Sequence, residues 1–158
     1  MSTLAPVITW PFIAKTNRIA TPIYKILDFL SPLSDLLIRL WAANVFFKSG
    51  LTKIQTFDST LQLFQYEYHV PILPPEVAAY LATGAELGFS VLLALGLAGR
   101  FSALGLFILN IVAVISYPDL DATGLQQHQL WGILLLTTLL HGPGKLSIDY
   151  LIGNFIRR

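Results

Sequence analysis

Residues 76–117 decide the fold, and they read EVAAYLATGAELGFSVLLALGLA, then GR, then FSALGLFILNIVAVISY. The two apolar runs, residues 76–98 and 101–117, are each close to the ~20 residues with which an α-helix crosses about 30 Å of hydrocarbon. Only Gly99 and Arg100 separate them. The stretch therefore predicts two membrane-spanning helices joined by a very tight turn.

The composition of the whole chain agrees with a membrane environment. The 158 residues are 54% hydrophobic and only 12% charged, with a mean hydropathy of +0.66. Soluble domains carry about 25% charged residues. The net charge is +1, and no Lys/Arg cluster forms a phosphate-binding stripe, so nucleic acid is not an expected partner. The expected surrounding is the lipid bilayer.

Two further apolar segments, residues 34–54 and 127–140, complete the pattern. We therefore predict an all-α fold, an integral membrane four-helix bundle over residues 33–152, followed by a basic cytoplasmic tail at residues 153–158. Residues 1–32 mix Trp10 and Phe12 with Lys15 and Arg18 and are too polar to span. They are predicted to form an interfacial amphipathic segment, with a partly disordered tail as the alternative.

The distribution of charge predicts the orientation in the membrane. Lys15, Arg18, Arg100 and Lys145 flank the predicted spans on one side, whereas Asp119 and other acidic residues occupy the opposite connections. Basic residues are retained on the cytoplasmic side. The prediction is a multi-pass protein of the bacterial inner membrane with both termini cytoplasmic.

The longest connection, residues 56–75, is predicted to hold a short helix on the outer surface. Ser59 and Gln62 have the spacing of a capping box, and Phe64, Tyr66 and Tyr68 follow them. Aromatic rings of this kind lie at headgroup depth. The helix is expected to anchor the loop at the interface or to receive a periplasmic partner.

Polar residues inside the predicted spans are the candidate functional residues, because ionisable groups at that depth are costly. Glu86 lies near the middle of the second span, at about the depth of Asn44, with Lys48 one turn further out. The depths predict a Glu86–Lys48 pair supported by Asn44. The pair has two interpretations: a site that receives a proton or a quinone headgroup, or a contact that only fixes the register of two helices.

Arg39 is a separate feature of the first span. Asp35 precedes it by four residues, a spacing that favours an ion pair at the cytoplasmic boundary. Arg39 and Lys48 are nine positions apart and are expected on opposite helix faces.

Several chemistries are excluded or disfavoured. The chain has no cysteine, so thiol chemistry, iron–sulfur ligation and covalent haem attachment are not expected. His69 and His128 lack carboxylate or cysteine partners at ligand spacing, and no metal site is predicted. Any redox role must use a bound cofactor, with quinone as the candidate, or a partner's chemistry.

Five motifs together resemble the DoxX family of small bacterial membrane proteins over residues 33–152. They are Leu37-Ile38-Arg39-Leu40, Phe46-Phe47-Lys48-Ser49-Gly50-Leu51-Thr52-Lys53, Glu86, Leu92-Leu93-Ala94-Leu95-Gly96-Leu97-Ala98-Gly99-Arg100 and Gly142-Pro143-Gly144-Lys145-Leu146-Ser147-Ile148-Asp149. The resemblance implies that Arg39, Lys48, Glu86 and Arg100 are important positions. Residues 64–75 are also similar to a subgroup encoded beside copper-binding, ribosomally made peptides.

The resemblance implies two functions, and a third is kept as a further alternative. The first is an accessory membrane protein, rather than a stand-alone enzyme, for maturation, export or anchoring of a copper-binding peptide under metal stress. The second is a membrane subunit of a quinone-linked oxidoreductase complex. The third is a small transporter, which four helices could form only as a homo-oligomer. The expected partner is accordingly a metal-binding peptide or another protein of a membrane complex.

Overall fold

The computed structural model describes residues 11–157, with side chains from residue 21 onward, and the regular secondary structure of this part of the chain is all helix, without strands. The helices are α1 (Pro11–Gln55), α2 (Phe57–Tyr66), α3 (Pro75–Leu95), α4 (Gly99–Ser116), α5 (Ala122–His141) and α6 (Ile148–Ile156). The predicted all-α class is confirmed.

The chain divides into two units, residues 1–32 and 33–158. In the first, residues 11–32 belong to α1, and the side chains from Thr21 to Ser31 are exposed. Residues 1–10 of the predicted interfacial segment lie outside the described residues. The interfacial position of this segment stays a prediction.

The second unit has one main apolar core. Its buried members come from α1, α3, α4 and α5, and they are Ala42, Ala43, Phe46, Leu93, Ala103, Leu106 and Leu135. A smaller cluster packs α2 against α3 through Phe64, Ala78 and Ala79. Alanines at these positions let the helix axes approach closely. Four helices of the second unit therefore share a core, with α2 lying against one of them.

The helix ends follow local sequence signals, with three differences from the predictions. The predicted surface helix is present as α2, but the predicted capping box at Ser59 and Gln62 is wrong, since the helix begins at Phe57 with Thr56 as its N-cap. The fourth predicted segment begins earlier, because the Asp121 carboxylate accepts from the Gly124 amide at 2.6 Å. Helix α6 extends across the predicted boundary at residue 152.

Two helices in the described residues are long and apolar enough to cross a membrane, α3 and α4. They correspond to the two runs in residues 76–117. Helices α1 and α5 match the other predicted spans in position but are more polar. Arg39, Lys48 and Lys53 lie in α1, and the first turns of α5 hold Gln126 and Gln127.

Candidate functional site

The buried carboxylate of Glu86 is held by the last turn of α1. Lys53 Nζ lies 2.8 Å from each of the two carboxylate oxygens and 2.7 Å from Ser49 Oγ. Ser49 Oγ in turn donates to Glu86 Oε1 at 3.2 Å. Glu86 is 5% exposed. The three side chains form a closed polar cluster between α1 and α3.

The predicted Glu86–Lys48 pair is wrong, because Lys53 occupies the position expected for Lys48. Asn44 and Lys48 are both exposed, so neither supports Glu86. Ser49 and Lys53 are four residues apart and share the inward face of α1 with Phe46. Lys53 is the second-last residue of the predicted span at residues 34–54, and α1 continues past it to Gln55.

A cavity of about 520 Å³ lies against this cluster. Residues of α1–α5 and the segments between them line it, and most of its surface is apolar. Its larger apolar members include Val45, Phe46, Phe64, Leu109, Val112 and Trp131. Ser49, Lys53 and Glu86 also line it and form a polar patch in its wall. Pockets of ~300–1,000 Å³ with a few convergent polar groups are typical of small-molecule sites.

Ser116 provides an unsatisfied polar group in the same cavity. Its side chain is 3% exposed, lines the cavity, and its Oγ has no hydrogen-bond partner among the described residues. A buried hydroxyl without a partner costs free energy. The Ser116 carbonyl, in contrast, accepts from the His69 amide at 2.7 Å. The unpaired Ser116 hydroxyl is therefore available to hydrogen-bond a polar atom of a ligand in the cavity.

Aromatic residues connect α2 and the segment that follows it to the cavity. The rings of Phe64 and Tyr68 lie 5.0 Å apart, those of Tyr68 and Tyr117 5.3 Å apart, and both contacts are edge-to-face. Burial raises the pKa of the Tyr68 phenol, and the neighbouring Tyr117, Glu67 and Glu86 act in the same direction. Tyr68 therefore stays a neutral hydroxyl, which can donate or accept a hydrogen bond in the cavity.

A second polar pair joins α4 to α5 beside the cavity. Asn110 Nδ2 donates to the main-chain carbonyl of His128 at 3.0 Å, and Asn110 Oδ1 lies 2.8 Å from His128 Nδ1. The His128 ring also contacts Trp131 edge-to-face, with centroids 4.8 Å apart. His128 and Trp131 line the cavity. From the sequence, His128 is only a weak metal-ligand candidate, and no spacing signal links it to Asn110.

Arg39 belongs to a different part of the molecule. It is 1% exposed, and its two terminal nitrogens donate to the carbonyls of Pro143 and Leu146, both at 2.7 Å. No Asp35–Arg39 ion pair forms within 4.0 Å in the described residues. Arg39 therefore hydrogen-bonds to the backbone of the segment after α5 instead of pairing with Asp35.

The turn between α3 and α4 packs on the residues that follow α5, the segment that Arg39 also contacts. Asp149 accepts from the amides of Ala98 and Gly99, both at 2.8 Å, and so caps the N-terminus of α4. Gly96 has φ +65°, and a side chain there would collide with Arg39. Arg100 makes longer contacts to the carbonyls of Leu140 and His141. Arg39 and Arg100 therefore lie together, away from the cavity residues.

The family model described as DoxX matches residues 34–118, more than half of the chain. The chain belongs to the DoxX family. The DoxX match includes Ser49, Lys53 and Glu86, whereas His128 and the closing segment at 142–149 lie beyond it.

Two relatives extend the DoxX comparison over most of the chain. An uncharacterized protein of Haemophilus influenzae is 35% identical over 130 residues, which cover 77% of this chain and 85% of that protein. A Bacillus subtilis protein named "Putative oxidoreductase CatD" is 32% identical over 120 residues, covering 74% of this chain and 85% of the relative. No solved structure matches this DoxX protein.

Proposed function

We propose that this DoxX protein crosses the inner membrane four times, through residues 33–55 of α1 and through α3, α4 and α5. Exposed large apolar side chains on all four helices support this, including Trp41, Val91, Ile111 and Ile133. Arg100 and Lys145 lie at one end of these helices and Asp119 at the other, which favours cytoplasmic termini.

The proposed function is that of a membrane subunit of a quinone-linked oxidoreductase complex, in which the cavity is the site for the quinone headgroup. One observation carries the proposal: a largely apolar cavity whose wall holds a buried Lys53–Glu86–Ser49 cluster and the unsatisfied Ser116 hydroxyl. A polar cluster in an apolar cavity suits a ring with polar oxygens and an apolar tail. The name of the Bacillus subtilis relative agrees with this function.

The chain's own contribution is binding and orientation. It has no cysteine, and the described residues contain no group of three His, Cys, Asp or Glu side chains placed to hold a metal ion. Electrons to or from the quinone would be carried by the redox cofactor of a partner enzyme. The apolar wall would exclude water from the headgroup, while Ser116 and Tyr68 would hydrogen-bond to its oxygens.

The test is quinone content after gentle extraction. The full-length protein is purified in its native lipid, and quinones are extracted and quantified by chromatography. We expect near-stoichiometric quinone with wild type and a loss of at least about fivefold with Ala113→Phe, which fills the cavity. Ile111→Phe is the matched control, since it adds the same ring to the exposed side of α4. Quinone at the level of bulk lipid in all three proteins would refute the proposal.

The copper-peptide role and the oligomeric transporter stay predictions from the sequence. No relative described above bears on a metal-binding peptide. The copper-peptide role can be examined in one strain: a deletion mutant grown across a copper series and complemented with wild type or Glu86→Gln. Copper sensitivity that wild type alone rescues would favour the metal-stress role over the quinone-linked one.

A further inference from the structure

The hydrogen bonds of Asn110 determine which nitrogen of His128 carries a proton. A carbonyl oxygen can only accept, so the Asn110 group facing the His128 carbonyl at 3.0 Å must be its NH₂. The Asn110 oxygen is then the atom 2.8 Å from His128 Nδ1. An amide oxygen only accepts, so Nδ1 must be the donor. Asn110 therefore holds the proton of the neutral imidazole on Nδ1.

The other nitrogen of the ring is left as an acceptor. In the neutral ring Nε2 has a lone pair and no proton. His128 lines the cavity, whereas Asn110 does not, so Nε2 is the ring nitrogen left for a ligand. The edge contact with Trp131 restrains the ring. A ligand atom that binds Nε2 must donate a hydrogen bond.

The charged cluster is equally poor in free donors. An ammonium group has three N–H bonds. Lys53 has three acceptors within hydrogen-bond distance, namely Ser49 Oγ at 2.7 Å and the two Glu86 oxygens at 2.8 Å. The N–H groups of Lys53 are therefore directed at Ser49 and Glu86, which leaves at most one for a ligand carbonyl, and the carboxylate of Glu86 is an acceptor. The hydroxyls of Ser116, Tyr68 and Tyr117 can either donate or accept a hydrogen bond.

We propose that the cavity selects the hydroquinone form of a quinone-type ligand, whose hydroxyl donates to His128 Nε2, and that Asn110 is the positioning residue that fixes the tautomer. A hydroquinone has two hydroxyl donors, whereas a quinone has only carbonyl acceptors. The inference rests on the proposed quinone site and adds the oxidation state that the site prefers. The class of reaction that supplies the ligand is then one that reduces quinone.

The test compares three soluble probes that lack the apolar tail. They are 2,3-dimethoxy-5-methyl-1,4-benzoquinol, the corresponding quinone and the dimethyl ether of the quinol, which has no hydroxyl donor. The full-length protein in lipid nanodiscs is dialysed against each probe without oxygen, with empty nanodiscs subtracted. The pH is 8, above the usual histidine pKa of about 6.5, so that the ring is neutral. We expect wild type to bind the quinol about five- to tenfold more tightly than either other probe.

Four variants separate a hydrogen-bonding role from a structural one. His128→Phe keeps a ring without nitrogen, and it should abolish the preference. Asn110→Leu removes the acceptor that keeps the proton on Nδ1. The ring can then carry its proton on Nε2, and the preference for the quinol should disappear or shift toward the quinone. Asn110→Asp places a carboxylate beside Nδ1, which favours the doubly protonated ring; Nε2–H then donates, so the preference for the quinol should be lost. Gln127→Leu, an exposed neighbour, should match wild type.

The outcomes distinguish this inference from the function on which it rests. If wild type binds quinol and quinone alike, or if Asn110→Leu and His128→Phe keep the preference, the inference is overturned while the quinone site stands. If wild type binds none of the probes above empty nanodiscs, the proposed function fails as well. Circular dichroism of each variant identifies any loss of helix. The Asn110→Leu and Asn110→Asp pair tests the inference with His128 itself unchanged.

Discussion

Lys53 Nζ lies 2.8 Å from both carboxylate oxygens of Glu86, so that a single ammonium group joins the last turn of α1 to the middle of α3. Lys53 is the basic residue of the last turn of α1, where the helix dipole favours a cation. The position of the Lys53 ammonium is therefore favoured by the helix dipole of α1 as well as by the carboxylate of Glu86. The Lys53–Glu86 contact is the only Lys/Arg/His–Asp/Glu pair within 4.0 Å in the part of the chain that the structure describes.

Loss of the Lys53 charge should destabilise the protein strongly. Lys53→Met leaves the buried carboxylate of Glu86 without its counter-ion, which typically costs about 3–5 kcal/mol. Lys48→Met removes an exposed charge from the same helix and should change little. The measurement is thermal unfolding of the purified proteins in detergent. Adding Glu86→Gln to Lys53→Met should restore part of the loss, and equal effects of the two lysine variants would contradict the assignment.

Arg39 should resist replacement even by lysine. Its two 2.7 Å contacts diverge to two carbonyls, and a lysine ammonium cannot reproduce that fork. We expect Arg39→Lys to cost about 1–3 kcal/mol, the penalty for a buried polar group left unsatisfied. Arg100→Lys should cost less, because its contacts are 3.3 and 3.5 Å and exposed. A larger loss for Arg100→Lys in the same unfolding assay would show that the order is wrong.

Asp149 should matter as a charge and not only as a hydrogen-bond acceptor. Its two oxygens accept from successive amides at the start of α4. An asparagine side chain in its place would offer one acceptor oxygen and no charge, so Asp149→Asn should lower stability by about 1 kcal/mol. Asp119→Asn is the matched control at an exposed position. Hydrogen exchange of the first turn of α4 should rise in Asp149→Asn alone, and unchanged exchange would argue against the cap.

Two glycines should respond in opposite directions to alanine. A Cβ at Gly50 would lie 2.9 Å from Leu87 Cγ and 3.1 Å from Glu86 Cβ, so Gly50→Ala should force α1 and α3 apart at a cost of about 1–3 kcal/mol. A Cβ at Gly84 would meet nothing within 4 Å. Gly84→Ala should be neutral or stabilising by up to about 1 kcal/mol. Destabilisation by Gly84→Ala would instead indicate that this face is covered by another molecule.

The sequence predicted the helices better than the contacts between them. Apolar run length located α3 and α4 within a few residues, because bilayer crossing is a property of local composition. Depth counting along two helices correctly selected Glu86 as buried but paired it with Lys48 instead of Lys53. Depth alone does not report which face of α1 turns inward, and Lys53 lies at the very end of the predicted span at residues 34–54, about one turn beyond Lys48.

The Asn110–His128 pair could not have been predicted from one sequence. The two residues lie 18 positions apart on different helices, and their contact depends on how α4 and α5 pack. His128 is the second residue of the predicted span at residues 127–140 and has glutamines on both sides, so its position there does not indicate an inward-facing ring. Similarly, Arg39 was expected to pair with Asp35 because i and i+4 contacts are visible in a sequence. Its actual acceptors are carbonyls more than a hundred residues away.

The contacts of Arg39 have a consequence for how related sequences are compared. Both acceptors are main-chain oxygens, which every amino acid supplies, so the identity of the side chain at Leu146 is free to drift without weakening the bond. Leu146 is itself exposed. Position 39 would then stay arginine while position 146 varies independently of it. Methods that infer proximity from correlated substitutions would give little signal at this contact, although it closes one end of the molecule.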